Sequence, residues 1–308
     1  MKKPQNKTLI ILAFFAVYVI WGSTYLLNKI AVTELPPFML AGIRFIIAGI
    51  LIFIIAKILK IKVAITRKQF LNCTFVGFLF LTFGNGVVVW ALKFVDSGFA
   101  ALEISAQPLV ILFMMLLLQG KKIESMSIIG VVLGVIGIFL LVSQKELVSN
   151  DMTLVGVFMI FLCMISWAYG SLFVAKADVP SNYFVNTGYQ MITGGAMLLL
   201  VSLILGEQWT SPLLWSEPVL YAMVLLIIFG SIVAFTSFNY LLKVVSPEKV
   251  ATSTYVNPII ALMLGWYFLD EQITTQSAVA AAILLTGVYF INTKKKLSYY
   301  LKFFNRSK

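Results

Sequence analysis

The stretch WGSTYLLNKIA, residues Trp21 to Ala31, has a counterpart later in the chain, and the relation between the two decides the fold. The second copy, WAYGSLFVAKA, begins at Trp167, 146 residues downstream. At the same offset the segment FGN around Gly84 falls on FGS around Gly230. Each match is weak alone, but their shared order indicates an internal repeat.

A longer match follows at a slightly larger offset. The segment LKFVDSGFAALEISAQP ends at Pro108 and aligns with LKVVSPEKVATSTYVNP, which ends at Pro258, 150 residues later. One four-residue insertion reconciles the two offsets. The repeat predicts a first unit over residues 8–143, a second over 154–292, and a basic cytoplasmic tail at 293–308.

The composition is that of a membrane protein. Hydrophobic residues make up 61% of the 308 positions, charged residues only 11%, and the mean hydropathy is +0.99, whereas soluble domains are about half apolar and a quarter charged. A bilayer core requires about 20 apolar residues per helix. We predict ten spans, at 9–31, 38–57, 70–92, 98–118, 126–143, 154–175, 183–205, 219–242, 250–268 and 277–292.

The net charge of +11 is a topology signal here. If the amino terminus is inside, 19 of the 23 basic residues fall on inner segments and three on outer ones, as the positive-inside rule requires. Both termini are then cytoplasmic and no nucleic-acid partner is expected. Because each unit has five spans, the second unit enters from the opposite side. The fold class predicted is an all-α polytopic membrane protein with ten helices in a 5+5 inverted repeat, the architecture of many secondary transporters.

Other function classes fit less well. The chain has no histidine and no nucleotide-binding loop of the Walker type, so we expect no metal, no cofactor and no enzyme. Cys73 and Cys163 fall inside predicted spans, where packed thiols are expected rather than a disulfide. The apolar amino terminus lacks a small-residue cleavage site, which favours a first span over a signal peptide. A membrane-embedded enzyme and a channel remain the alternatives.

Four segments carry a resemblance to a known family: WGSTYLLNKIA, PPFMLAGIRFIIAG, SGFAALEISAQPLVILFMMLLLQGKKI and SPEKVATSTYVNPIIALMLGWYFLDEQIT. Their order resembles the drug/metabolite transporter superfamily, specifically its EamA-type permeases, over essentially the whole chain. The resemblance implies ten helices in two inverted halves, a central substrate cavity and solute transport. Glu103 departs from it, because small or apolar residues usually follow the AAL segment.

The first span has a polar and aromatic face. Tyr18, Trp21, Tyr25 and Asn28 are spaced by three, four and three residues, so one helical face carries all four. Trp21 lies about 18 Å from the inner end of the span, too deep for an interfacial anchor. Either this face lines a cavity or it packs against neighbouring helices, and the same alternatives apply to Trp167.

Two prolines mark symmetry-related helix breaks. Pro108 and Pro258 lie about 12–15 Å deep in their spans, where each removes a backbone hydrogen bond. Gln107 and Asn257 precede them, and broken helices near the midplane often form transport sites. A packing kink is the alternative.

Two charges lie inside the predicted spans. Arg44 is about 9 Å deep and Glu103 about 8 Å deep, so the two side chains could meet if their helices are neighbours. Either they form a structural salt bridge, or Glu103 binds a coupling proton and Arg44 senses substrate charge. Five further candidates lie inside the predicted spans: Asn85, Trp90, Phe235, Asn239 and Tyr255.

The function predicted is a secondary transporter that moves a small metabolite across a prokaryotic inner (plasma) membrane by alternating access. An amino acid, an amino-acid derivative or an amphiphilic drug-like solute would suit the mixed lining. The expected partners are this substrate, the lipid bilayer and protons. A monomer or weak dimer is expected.

Overall fold

A computed structural model describes residues 7–120, 125–144, 151–245, 250, 253–254 and 256–292. Within these ranges the chain is helical, without strands. The first five helices are α1 (Lys7–Val32), α2 (Pro37–Ile58), α3 (Arg67–Ala91), α4 (Ser97–Gln119) and α5 (Ser125–Val142). The next five are α6 (Asp151–Val174), α7 (Tyr183–Ile204), α8 (Glu217–Val244), α9 (Asn257–Leu269) and α10 (Thr275–Asn292).

Seven of the described helices, α1–α4 and α6–α8, are long and apolar enough to cross a membrane. The other three are apolar but shorter. The described helix α9 begins at Asn257, and Val250, the first residue of the predicted span, is helical as well. Pro258 therefore falls in its first turn, where the missing N–H leaves no hydrogen bond unmade. Ser253 and Thr254 form a short 3₁₀ turn before it.

Three helices contain π-helical segments, at Ala16–Ile20 in α1, Phe78–Asn85 in α3 and Leu226–Phe235 in α8. A π segment widens the turn, so side chains beyond it are rotated relative to an uninterrupted α-helix. The consequence is a local change in which residues of these helices point toward the centre of the molecule.

Loops 59–66 and 175–182 meet at one end of the molecule, which we name the amino-terminal face because α1 also begins there. Gln69 Nε2 donates to Asp178 Oδ1 (3.1 Å), and the Tyr189 hydroxyl donates to the Val63 carbonyl (3.2 Å). The first half of α1 packs against the end of α8 at this end of the molecule.

At the opposite face, carboxylates from loops of the second unit accept from helix N-termini of the first. Glu207 Oε2 accepts from the Met39 N–H at 2.8 Å, and Glu271 accepts from the Ser97 N–H at 2.8 Å and the Gly98 N–H at 3.1 Å. Such contacts complement the positive N-terminal ends of α2 and α4. Lys29 Nζ adds bonds to the Leu92 and Val95 carbonyls (2.8 and 2.9 Å).

An acidic group lies among these contacts, in the loop between α3 and α4. Burial raises the pKa of the Asp96 carboxyl, and the nearby Glu271 raises it further, whereas Lys29 lowers it. The opposite face is therefore a compact charged layer that joins the two units.

Tight contact between α3 and α7 depends on glycine. A methyl group on Gly77 would stand 2.7 Å from the Gln190 carbonyl oxygen and 2.9 Å from Thr193 Oγ1. A methyl group on Gly194, facing it, would stand 2.9 Å from the Gly77 carbonyl oxygen. Small residues at such crossings let two backbones approach closely in a membrane.

We expect Gly77→Ala to lower the free energy of unfolding by about 1–3 kcal/mol, because backbone atoms of α7 must move. The matched control is Gly156→Ala on α6, where the close neighbour is only the Val95 Cγ2 methyl at 2.9 Å. Melting temperatures of the detergent-solubilised variants test this. Equal melting temperatures for the two variants would contradict the crossing described here.

Candidate substrate-binding site

A cavity of about 130 Å³ lies in the centre of the molecule, between helices of both predicted units. The cavity is large enough to hold more than one water molecule. Helices α1–α4 line it from the first unit, and α6, α8 and α9 from the second. Nine of the predicted site residues lie on its wall: Trp21, Tyr25, Asn28, Arg44, Asn85, Gln107, Trp167, Phe235 and Asn257.

An aromatic cluster forms the middle of the cavity wall, and its members are Trp21, Phe80, Trp167, Phe235 and Phe238. The rings of Trp21 and Trp167 meet edge to face, 5.7 Å apart and 86° inclined. Phe80 stacks on Trp167 at 4.6 Å, and Phe238 lies 5.0 Å from Trp21. Four of these rings face the cavity, and Phe80 supports them from behind.

Each tryptophan of the cluster contacts a glycine on another helix. Trp21 Nε1 donates to the Gly230 carbonyl at 3.3 Å. A methyl group on Gly84 would overlap Trp167 Nε1. Trp167 can therefore pack closely against α3 because Gly84 has no side chain.

Arg44 lies on the cavity wall toward the opposite face and is 4% exposed. Its Nε donates to Ser231 Oγ at 3.0 Å, its Nη1 to Asn28 Oδ1 at 2.9 Å and its Nη2 to Asn85 Oδ1 at 3.4 Å. The Phe45 ring centre lies 4.3 Å from the guanidinium carbon, within cation–π range. All three hydrogen-bond acceptors are neutral oxygens.

The amides beside the two prolines also reach the cavity wall. The helix α4 is interrupted by a turn at Ser105–Ala106 and resumes with Gln107 and Pro108. Gln107 Nε2 donates to the Met164 carbonyl of α6 at 2.9 Å. Asn257, with its amide nitrogen assigned toward α1, donates to the Tyr18 carbonyl at 2.7 Å. Both amides therefore join helices at the interrupted segments, with their residues on the cavity wall.

Glu103 is buried, at 2% exposure, but does not line the cavity. Its Oε2 atom has no hydrogen-bond partner, and no salt bridge joins it to Arg44 among the described residues. The two groups were predicted at similar depth, but their helices have different neighbours: α2 packs mainly on α3, α7 and α8, and α4 on α1, α6 and α9. Depth alone was therefore insufficient to pair them.

Besides Glu103 and the two prolines, three predicted site residues lie away from the cavity wall: Tyr18, Trp90 and Asn239. Tyr255 lies outside the described residues. The Tyr18 ring meets Phe14 edge to face at 5.6 Å, and Trp90 contacts Phe94 at 5.1 Å. Asn239 is buried in a polar cluster with α7, where its Nδ2 donates to Thr187 Oγ1 and Gln190 Oε1 (3.0 and 3.1 Å).

The sequence analysis did not select several residues of the cavity wall. On α6 these residues share the face of Trp167, three or four positions away, so helical spacing could have identified them. Phe238 lies three residues after Phe235, so helical spacing could have identified it as well. The residues missed include Thr24, Cys163, Met164, Ser171 and Phe238. Over the described ranges, no cluster of His, Cys, Asp or Glu could hold a metal ion.

Curated relatives align with almost the full chain. A protein named "Uncharacterized inner membrane transporter YedA", from Escherichia coli, is 34% identical over 286 residues, which cover 92% of this chain and 91% of YedA. "Uncharacterized transporter YoaV" from Bacillus subtilis is 25% identical over 293 residues, covering 92% of this chain and 96% of its own.

The fold also matches a solved structure. A crystal structure with 20% sequence identity superposes with a TM-score of 0.70, covering 93% of this chain and 97% of the other. The model of the EamA-like transporter family matches residues 8–143 and again residues 154–293. With both matches together spanning most of its length, the chain belongs to the EamA-like transporter family.

Proposed function

We propose that this protein is a secondary transporter that moves a small metabolite across a bacterial inner membrane by alternating access. The central cavity carries the proposal, because helices from both units enclose a buried space with aromatic, amide and charged walls. Most ligand sites combine an apolar wall with a few placed polar groups in this way. Family membership supports transport over a membrane-embedded enzyme or a channel.

An inverted 5+5 repeat is part of the proposal, and the cluster contacts support it. Trp21 and Trp167 are counterparts at the offset of 146, and so are Gly84 and Gly230. Trp21 contacts Gly230 of the second unit, whereas Trp167 contacts Gly84 of the first. This exchange of partners is what a two-fold axis through the Trp21–Trp167 contact would produce.

Helix packing gives further support. The pairs α2–α7, α4–α9 and α5–α10, which are counterparts in the repeat, each pack directly against one another. Elements close to a two-fold axis meet their own equivalents. The division into units at residues 8–143 and 154–292 follows from the same axis.

The proposed cycle starts from a state in which the cavity is reached from the amino-terminal face. The wall extends to Leu242, near the end of α8, and to Val250 and Ser253, before α9. The contacts of Glu207 and Glu271 close the opposite face. Substrate release on the other side would require these contacts to part while the amino-terminal face closes.

Proton coupling through Glu103 is the proposed energy source. Burying an ionised carboxylate costs free energy when one of its oxygens lacks a hydrogen-bond partner. Among the described residues, Glu103 Oε2 has no such partner. Glu103 therefore holds a proton in this state and releases it when the helices rearrange. Its place one turn before Gln107, on a helix that is interrupted at residues 105–106, would link protonation to the shape of the cavity wall.

Flux into proteoliposomes tests the transport function. The purified full chain is reconstituted, and a panel of labelled metabolites is offered with and without a pH gradient. We expect saturable uptake of at least one solute class, abolished by a bulky substitution on the wall such as Ser171→Trp, which points at the space beside Trp167. A complete panel without protein-dependent flux would count against the proposal.

Both termini are expected in the cytoplasm, because the basic residues concentrate on that side. A reporter active only in the cytoplasm should work when fused to the carboxyl terminus and fail when fused after Lys145. The fusion after Lys145 is the internal control, because both fusions carry the same reporter. The reverse pattern would contradict the topology and the inverted repeat together.

A further inference from the structure

We infer that the cavity selects a monoanionic amphiphile, a carboxylic acid with an aromatic or other apolar body. Arg44 would bind the carboxylate, and the aromatic cluster would contact the body. The inference rests on the proposed function only in taking the bound molecule to be the transported one. It specifies the substrate class that the mixed wall alone leaves open.

The Arg44 guanidinium keeps hydrogen-bonding capacity for a ligand. A guanidinium has five N–H donors, and its contacts with Ser231, Asn28 and Asn85 occupy one donor on each of the three nitrogens. One N–H on each terminal nitrogen is left by these three contacts. The neutral acceptors fix the orientation of the group from three helices, α8, α1 and α3, without neutralising it.

Among the described residues of the cavity wall, the charge of Arg44 has no counter-ion. No Asp or Glu is among the described residues that line the cavity, and Glu103 lies off the wall without a salt bridge to Arg44. Burying an unpaired charge is costly, and neutral hydrogen bonds offset only part of that cost. An anion entering the cavity would complete the pairing, so the arrangement of Arg44 favours an anionic ligand.

A carboxylate fits this site better than a phosphate or a cation. The two N–H groups left on the terminal nitrogens match the two oxygens of a carboxylate, and one positive charge balances one negative charge. A phosphate dianion would keep an excess negative charge in a wall without a second cation among the described residues. A cationic solute would be repelled by Arg44.

The apolar part of the ligand has a defined place. Trp21 and Asn28, the latter bound to Arg44, are two helical turns apart on α1, about 10 Å along the axis. That separation suits a carboxylate joined by a short chain to one aromatic ring. Trp21, Trp167, Phe235 and Phe238 supply ring faces and edges for contacts of the kind that aromatic pairs form.

Three probes with one body and different heads test the inference: 3-phenylpropanoate, 3-phenylpropanamide and 3-phenylpropylamine. Binding to the purified full chain is measured by calorimetry at one pH. We expect the carboxylate to bind at least about tenfold more tightly than the amide, with the ammonium weakest, since a charge-assisted bidentate contact is strong.

The variant Arg44→Gln should abolish this preference, because the charge that distinguishes the carboxylate from the amide is lost. Arg44→Lys keeps the charge without the planar fork, and its preference should be intermediate. Lys93→Gln removes an exposed cation away from the cavity wall and is the matched control. Melting temperatures establish that each variant is folded.

Equal binding of the three heads by the wild type, or no binding of any probe at millimolar concentration, would overturn the inference. So would a folded Arg44→Gln or Arg44→Lys protein that keeps the full carboxylate preference. A different result would contradict the transport proposal alone: the carboxylate would bind through Arg44, but no solute would enter the proteoliposomes. Conversely, flux of neutral or cationic solutes without a carboxylate preference would leave transport standing and remove the anion site.

Discussion

Replacing Glu103 by glutamine is expected to abolish gradient-driven accumulation while exchange of internal for external solute continues. Glutamine resembles the protonated acid in shape but has no proton to release at working pH. With a gradient of one pH unit, electroneutral coupling of one proton to each transported molecule supports about tenfold accumulation of the solute. In the variant, the ratio of internal to external solute concentration should be about one. Paired uptake and counterflow assays in the same proteoliposomes measure both quantities.

Glu34→Gln is the matched control for this experiment. Glu34 is exposed in the loop between α1 and α2, where hydrogen bonds from the Ser216 side chain and from the Ser216 N–H (3.1 Å to Oε2) lower the pKa of the Glu34 carboxyl. It does not line the cavity, and accumulation should be unchanged. If Glu103→Gln lowered the melting temperature but kept coupled uptake, the residue would have a packing role. Normal stability with normal coupled uptake would remove it from the mechanism.

Trp21→Ala is expected to reduce transport by at least about tenfold while the protein still reaches the membrane in normal amount. The ring is half-buried, faces the cavity and contacts Trp167 and Phe238, so its loss both enlarges the site and frees its neighbours. Aromatic pairs contribute about 0.5–1.5 kcal/mol each, and part of this loss should appear as weaker substrate binding.

Two further variants separate site from packing. Trp21→Phe keeps an aromatic ring and loses the N–H bond to the Gly230 carbonyl, so its flux should lie between wild type and Trp21→Ala. Trp90→Ala removes a tryptophan that does not line the cavity and should leave flux per folded molecule near wild type. Lost expression of Trp21→Ala with unaltered flux per folded molecule would favour a purely structural role.

Sequence periodicity located the long helices well, because apolar runs of membrane length are strong signals. The predicted second and fourth spans, 38–57 and 98–118, differ from Pro37–Ile58 and Ser97–Gln119 by one residue at each end. The sequence predicted a helix break at Pro258, and in the structure a 3₁₀ turn at Ser253–Thr254 precedes the helix that begins at Asn257.

The site was predictable in part, and the misses have physical causes. Trp21, Tyr25 and Asn28 were selected by helical spacing and do line the cavity. Tyr18 satisfied the same spacing, but it lies in the π-helical segment Ala16–Ile20, where the wider turn breaks the periodicity.

The sequence also could not show which helices pack against each other. Asn239 is a polar residue inside a span, as a site residue would be, yet its partners Thr187 and Gln190 are on α7. Sequence spacing defines a face of one helix and gives no information on which helix meets it. The same limit left the relation between Arg44 and Glu103 open until α2 and α4 had known neighbours.

The unequal closure of the two ends has a consequence for pharmacology. Glu207 and Glu271 hold the opposite face by accepting hydrogen bonds from backbone N–H groups, so side-chain changes on α2 and α4 would leave those backbone donors in place. A non-permeant inhibitor shaped for the cavity should therefore act from the amino-terminal side at once, and from the other side only after turnover has begun. Comparing inhibition in right-side-out and inverted vesicles would then show which side the cavity faces at rest. This measurement needs no knowledge of the natural solute.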